Sequence, residues 1–204
     1  MRYIGVIFSL GCLVTAARAN PVTVLFTGTV TQVPVDEVFG DVGVGSAITG
    51  FYIFNSLASD GAPADSTTGS YSMFGLPYTF SATVGGHSFS INDFLNIAVF
   101  NSFVDQYSVF AQQSGGDLTL EILLQNNSAT AFGTDALPLA LPSLGNFAQR
   151  DFHLTGLIDD GQVQFDGSID TLQVAPEPAS FTLLLIGVAA FGAARLKRSA
   201  SRVL

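Results

Sequence analysis

The sequence predicts an all-β protein, an antiparallel β-sandwich or jelly roll of about eight to ten strands, flanked by an N-terminal signal-peptide helix and a C-terminal transmembrane helix. The expectation rests on three features. Apolar and polar residues alternate with a period of two through most of the interior, where helical periodicity is almost absent. Glycine-centred turns interrupt that alternation at the spacing of hairpins. Long uncharged apolar runs occur only at the two ends, each beside basic residues.

At the N-terminus, Arg2 precedes an apolar run over residues 3–14, and Ala17-Arg18-Ala19 is followed by Asn20-Pro21. A basic start, an apolar core of this length and an Ala-x-Ala site predict a secretory signal peptide over residues 1–19. The general secretory machinery would engage it, with cleavage between Ala19 and Asn20 and with Ala17 and Ala19 at the small-residue positions. Lipidation at Cys12 is the competing reading, but Ser9 stands where a lipobox wants an aliphatic side chain. Cys12 is the only cysteine. The mature chain would therefore hold no disulfide and no thiolate, and burial must stabilise it.

Residues 20–175 have the length of one ordinary domain, able to bury about two-thirds of its unfolded surface. Val22, Val24, Phe26, Gly28 and Val30 alternate with threonines and Leu25, which predicts a first strand. A glycine-rich link over 40–45 leads to a second strand over 47–55, apolar on both faces and hence expected inside a sheet. Residues 56–68 are polar, with turn-forming residues, and predict a loop. Residues 77–84 and 87–91 flank Gly85-Gly86, with Tyr78, Phe80, Ala82 and Val84 on one face, which predicts a tight hairpin. A second hairpin is expected from 106–112 and 118–125 around Ser114-Gly115-Gly116-Asp117, with Leu118, Leu120, Ile122 and Leu124 inward. Residues 135–145 carry Pro138 and Pro142 and predict an irregular apolar crossover. Residues 147–157 and 162–174 close the domain as a third hairpin around Asp159-Asp160-Gly161. Fifteen phenylalanines are expected to fill the core.

Charge narrows the function classes. Fifteen acidic residues lie in 20–175 against Arg150 alone, so the body carries about −14, more negative than the whole chain's −9 because the two ends are basic. Such a surface repels phosphate backbones and anionic membranes, which excludes nucleic-acid binding. Divalent cations or simple solubility suit it better.

Catalytic constellations are thin. The body's histidines are His87, beside a hairpin turn, and His153, on the same strand face as Asp151. An Asp can orient a His for a triad, but no serine occupies a nucleophile elbow, and a polar surface pair on an edge strand accounts for the residues. Two distant histidines without cysteine do not make a zinc site. Gly43-Val44-Gly45 lacks the third glycine and following helix of a dinucleotide loop. Asp166 and Asp170 stand about 13 Å apart along one strand face, too far for a glycosidase pair. Oxygen ligands for Ca²⁺ are available from Asp60 and Asp65 in one loop and from Asp159 and Asp160 in a turn, without an EF-hand or nonapeptide pattern; exposed acidic turn residues are the simpler account. Carbohydrate binding finds little support: there is no tryptophan, and Tyr52, Tyr71, Tyr78 and Tyr107 sit mostly in core-like alternation. Asn126-Asn127-Ser128 forms a sequon. The reading is a protein that is not an enzyme and uses no metal and no cofactor.

The C-terminal end carries the strongest signal. Pro176-Glu177-Pro178 ends the body, since neither proline continues a strand or a helix. The fourteen residues 181–194 are uncharged and lack a polar stripe, unlike a surface helix. Spanning a bilayer takes about 20 residues; snorkelling by Arg195 and Lys197, or thinning of the bilayer, closes the difference. Basic residues cluster beyond the run at Arg195, Lys197 and Arg198, so the positive-inside rule places them in the cytoplasm and the body outside.

This order of Pro-Glu-Pro, short apolar helix and basic cluster resembles the PEP-CTERM sorting signal of Gram-negative, exopolysaccharide-producing bacteria. The resemblance covers about 30 residues of the chain, residues 176–204, and the body resembles no recognised family. It implies an exosortase-like processing enzyme that recognises Pro176, Glu177 and Pro178, a transient inner-membrane anchor over 181–194, and a stop-transfer cluster of Arg195, Lys197 and Arg198. The expected function is that of an exported surface or extracellular-matrix protein, held at the inner membrane with its body in the periplasm and then released. The alternatives are a polysaccharide- or Ca²⁺-binding module of the exopolysaccharide matrix, and a hydrolase whose carboxylates converge only in three dimensions.

Overall fold

The computed structural model describes residues 21–141 and 143–175. Ten strands form there: β1 Pro21–Asp36, β2 Ala47–Asn55, β3 Thr68–Phe74, β4 Thr79–Val84, β5 His87–Ile91, β6 Phe94–Asn101, β7 Asp105–Gln112, β8 Leu118–Asn126, β9 Gln149–Ile158 and β10 Gly161–Val174. A short 3-10 turn lies at Leu144–Asn146. The chain divides into two units, Met1–Val174 and Ala175–Leu204, and the fold described is that of the first. The predicted signal peptide with Ala17, Ala19 and Asn20, the predicted sorting residues Pro176, Glu177 and Pro178, the apolar run 181–194 and the basic cluster Arg195, Lys197 and Arg198 lie outside the described residues. Among the described residues no helix is long and apolar enough to cross a membrane.

The all-β expectation holds, but the two-sheet sandwich is corrected to one continuous antiparallel sheet in the order β3-β6-β7-β8-β9-β10-β1-β2-β4-β5. The joint is the pairing of β1 with β10, the first and last strands, 16 and 14 residues long. Their ladder carries register shifts between Thr27 and Gly28, Val30 and Gln32, and Gln32 and Val35. Such irregularities bend and twist a strand locally, so the sheet curls without breaking. Gly28 and Gly167 lie in this ladder where a Cβ would collide with the Ser168 and Thr29 carbonyl oxygens respectively.

Curling brings distant strands face to face over one core. The Tyr52 and Tyr107 hydroxyls, from β2 and β7, share a buried hydrogen bond of 2.9 Å, and the rings of Phe89 and Phe165, from β5 and β10, lie 6.5 Å apart. Phe26 packs edge-on to Phe80 at 5.6 Å. The inward rows are those alternation predicts: Phe80, Ala82 and Val84 of β4 and Leu118, Leu120, Ile122 and Leu124 of β8 are all buried. Phenylalanine behaves differently from expectation. Phe26, Phe54, Phe80, Phe89, Phe147, Phe152 and Phe165 are buried, whereas Phe74 and Phe103 are 70% and 94% exposed. The period of two puts Phe74, Phe94 and Phe110 on the outer face.

All three predicted hairpins form. Val84 pairs with His87 across Gly85-Gly86, whose φ values of 59° and 100° suit a type I′ turn. Ile158 pairs with Gly161 across Asp159-Asp160, at φ 50° and 67°; Gly161 therefore starts β10 and the aspartates make the turn. Two strands go beyond the predicted set. β3 (TGSYSMF) turns its serines outward and buries Gly69, Tyr71 and Met73. β6 (FLNIAVFN) has apolar residues on both faces and sits inside the sheet between β3 and β7.

Candidate functional site

Antiparallel register aligns outward side chains into rows that cross the strands, and the outer face of β3 and β6 to β10 collects the polar and aromatic groups left out of the core. One row runs Asn96, Phe110, Glu121, His153 and Asp166 through directly paired positions. His153 Nδ1 lies 2.8 Å from Asp166 Oδ1, with the carboxylate as acceptor, and its Nε2 is 4.0 Å from Asp151 Oδ2. Gln149 Nε2 donates to Asp151 Oδ2 and Gln164 Nε2 to Asp166 Oδ2 at 3.4 Å. Ser108 Oγ donates to Glu121 Oε1 at 3.2 Å. The predicted pair of His153 and Asp151 thus shares a face, but the closer partner is Asp166, contributed by the neighbouring strand. β9 lies between β8 and β10, which corrects its placement at an edge. Among the described residues the ring meets these two carboxylates, so the cluster can offer a ligand hydrogen bonds.

Two open depressions lie on this face. One, of about 470 Å³, is lined by Phe74, Asp93, Phe94, Gln112 and the turn residues 113–116. The other, of about 370 Å³, includes Gly116, Asp117, Thr119, Thr155 and Gln164. Gly116 borders both. Phe74 tilts against Phe94 with centroids 5.3 Å apart, and Phe94 meets Phe110 at 6.4 Å.

The other sequence candidates have local tasks. His87 stacks on Phe39 at 4.1 Å, and its Nε2 lies 2.8 Å from Asp41 Oδ1. Asp60 Oδ1 accepts from the Ala62 and Ser70 amides, tying the loop to β3. Asp65 Oδ1 accepts from the Thr67 hydroxyl and amide, and those bonds hold its carboxyl below the usual range. Asp159 and Asp160 form the β9–β10 turn, and Asp170 Oδ2 accepts from Thr29 Oγ1. Among the described residues no three His, Cys, Asp or Glu side chains gather as a metal site. Tyr52 and Tyr107 are core residues, and burial pushes both phenols up from their ordinary value.

Polar residues also pin the long connection between β8 and β9. Asp105 is fully buried; its Oδ2 accepts from the amides of Ala131 and Phe132 at 2.7 and 2.9 Å, while Oδ1 has no hydrogen-bond partner among the described residues. The sequon residue Asn126 is buried and committed, donating to the Asn146 carbonyl and accepting from the Ser128 amide. Tyr71 Oη donates to the Asp135 carbonyl and accepts from the Leu137 amide; burial, and then the Asp60 carboxylate, push its phenol up. The β8–β9 connection is thus held at three points, of which the Tyr71 contacts to Asp135 and Leu137 fall within the predicted crossover 135–145.

Comparison with known proteins bears on the chain's end. Residues 174–198 match the family model of the PEP-CTERM protein-sorting motif. That stretch includes Pro176-Glu177-Pro178, the apolar run and the basic cluster, so the chain carries the motif that the sequence resembles. The motif implies export and membrane-linked sorting toward the cell surface by exosortase-type machinery. No curated protein and no solved structure matches the chain.

Proposed function

We infer that this is a non-enzymatic protein of the cell surface or extracellular matrix, exported through the general secretory route and sorted by an exosortase-like enzyme. The observation that carries the reading is the motif at 174–198. The signal peptide is removed between Ala19 and Asn20 and the body folds in the periplasm. Residues 181–194 hold it at the inner membrane while Arg195, Lys197 and Arg198 stay in the cytoplasm. The processing enzyme then acts at Pro176-Glu177-Pro178 and releases the body. The absence of lysine from residues 20–175 and their charge of about −14 suit a protein that must stay soluble after release. The test is a fusion of residues 174–204 to a neutral exported reporter in the native host. The reporter is expected to gain membrane association, lose the tail and reach the surface; unchanged processing and location would refute the sorting claim.

A further inference from the structure

We propose that the two depressions on the outer face, which share Gly116, act as one groove that binds a linear, uncharged polysaccharide chain lying perpendicular to the strands. The proposal rests on the extracellular placement above for its biological setting, and on the groove itself for its chemistry.

Register builds the groove. Phe74, Phe94, Gln112, Thr119, Thr155 and Gln164 are directly paired neighbours on β3, β6, β7, β8, β9 and β10. In each strand a residue adjacent to the row member is buried, including Met73, Leu95, Ala111, Leu120, Leu154 and Val163, so all six row members point outward. Five strand spacings of about 4.8 Å make the row roughly 24 Å long. The two depressions divide this row between them: Phe74, Phe94 and Gln112 line one, and Thr119, Thr155 and Gln164 the other. They meet at Gly116, in the β7–β8 turn. Gly115 and Gly116 adopt φ of 99° and 82° there, a conformation open to glycine, and Asp93 Oδ2 accepts the Ser114 amide at 2.8 Å to fix the turn beside the row.

The chemistry of the row selects the occupant. At one end two tilted phenylalanine rings, one of them 70% exposed, offer an apolar surface to the C–H face of a sugar ring. Amides and hydroxyls follow, each a donor and an acceptor, at the strand spacing of about 4.8 Å, which approximates the rise of an extended pyranose chain. Among the described residues that line the two depressions, the ionisable groups are Asp93 and Asp117 and none is basic. A polyanion would meet only like charge there. A peptide added to a sheet edge would use backbone groups along a strand, whereas this groove crosses six strands and presents side chains.

The experiment is affinity electrophoresis and calorimetry of the full chain in micelles of a detergent without a sugar headgroup. The probes are soluble mixed-linkage β-glucan, galactomannan and dextran, with alginate and chitosan as charged controls. At least one neutral polymer should bind, with affinity rising with oligosaccharide length to about five rings, the length of the row. Phe74→Ala should weaken binding about tenfold, as loss of one stacking face, and Gln164→Ala at the far end should weaken it also. Phe103→Ala, at a 94% exposed position beyond the opposite end of β6, should leave it unchanged. Unaltered urea midpoints in all three variants would show the fold intact. The proposal is overturned if no neutral polymer binds, if binding is confined to chitosan and vanishes with salt, or if Phe74→Ala and Gln164→Ala bind like the parent. Sorting plays no part in these measurements, so their failure leaves the sorting reading standing, and a failed reporter fusion leaves the groove untouched.

Discussion

Replacing Tyr52 with phenylalanine removes one hydroxyl from the centre of the core and leaves another alone. The Tyr52 and Tyr107 hydroxyls are each other's partners at 2.9 Å, and both side chains are 0% exposed. Tyr52→Phe therefore strands the Tyr107 hydroxyl in apolar surroundings, at a cost of about 1–3 kcal/mol, and Tyr107→Phe does the same in reverse. The double substitution removes both polar groups and keeps both rings, so it should cost less than either single change. With a urea m-value of about 2 kcal/mol/M, each single variant should lower the unfolding midpoint by about 0.5–1.5 M, and the double variant by less. Far-UV circular dichroism is the suitable probe, because the substitutions themselves change tyrosine fluorescence. Additive losses in the double variant would refute the argument that the bond across the curled sheet couples the two residues. Linkage adds a second arm. Burial raises both phenol pKa values in the folded state, so the folded protein binds more protons than the unfolded chain once pH exceeds the unfolded value near 10. Stability is fully present below that value and falls as pH rises above it, by about 1.4 kcal/mol per pH unit for each phenol. The double variant should lose that part of the alkaline decline.

Other variants test other joints. Asp105→Ala frees the Ala131 and Phe132 amides inside the β8–β9 connection; it should cost about 2–4 kcal/mol and speed hydrogen exchange at those two amides, and unchanged exchange would count against the anchor. Gly50→Ala would drive a Cβ into the Phe26 ring and the Ser81 carbonyl oxygen, so a loss of about 2–3 kcal/mol is expected in thermal unfolding. Replacing Asp159-Asp160 with Asn-Gly suits the positive φ values of that turn and should raise stability by about 0.5–1 kcal/mol; a lower melting temperature would contradict the turn assignment.

Local signals carried much of this architecture. Gly85-Gly86 between alternating runs specifies both the turn and the inward row of Phe80, Ala82 and Val84, because hairpin geometry is decided within a dozen residues. The sorting segment is legible for a similar reason: its motif is an ordered linear string. What escaped the reading depends on pairing between distant segments. Whether the strands make two sheets or one turns on β1 joining β10, where Val24 meets Val174, and no short window contains both. β3 was hidden by its serines, which face outward while Gly69, Tyr71 and Met73 supply the buried row. Asp166 became the partner of His153 only through the β9–β10 register; alternation from the predicted third hairpin was the available signal. The groove is the extreme case, since its six row residues come from six strands and no segment bears its signature.

The central claim is that the C-terminal motif is an address used once and discarded. Intact-mass and terminal-peptide mass spectrometry of the protein from its native host, in cells and in medium, tests it most directly. The expected product begins at Asn20, ends near Pro178 and is found outside the inner membrane. A mature species that retains residues 181–204 would contradict the account and make the C-terminal segment a permanent anchor.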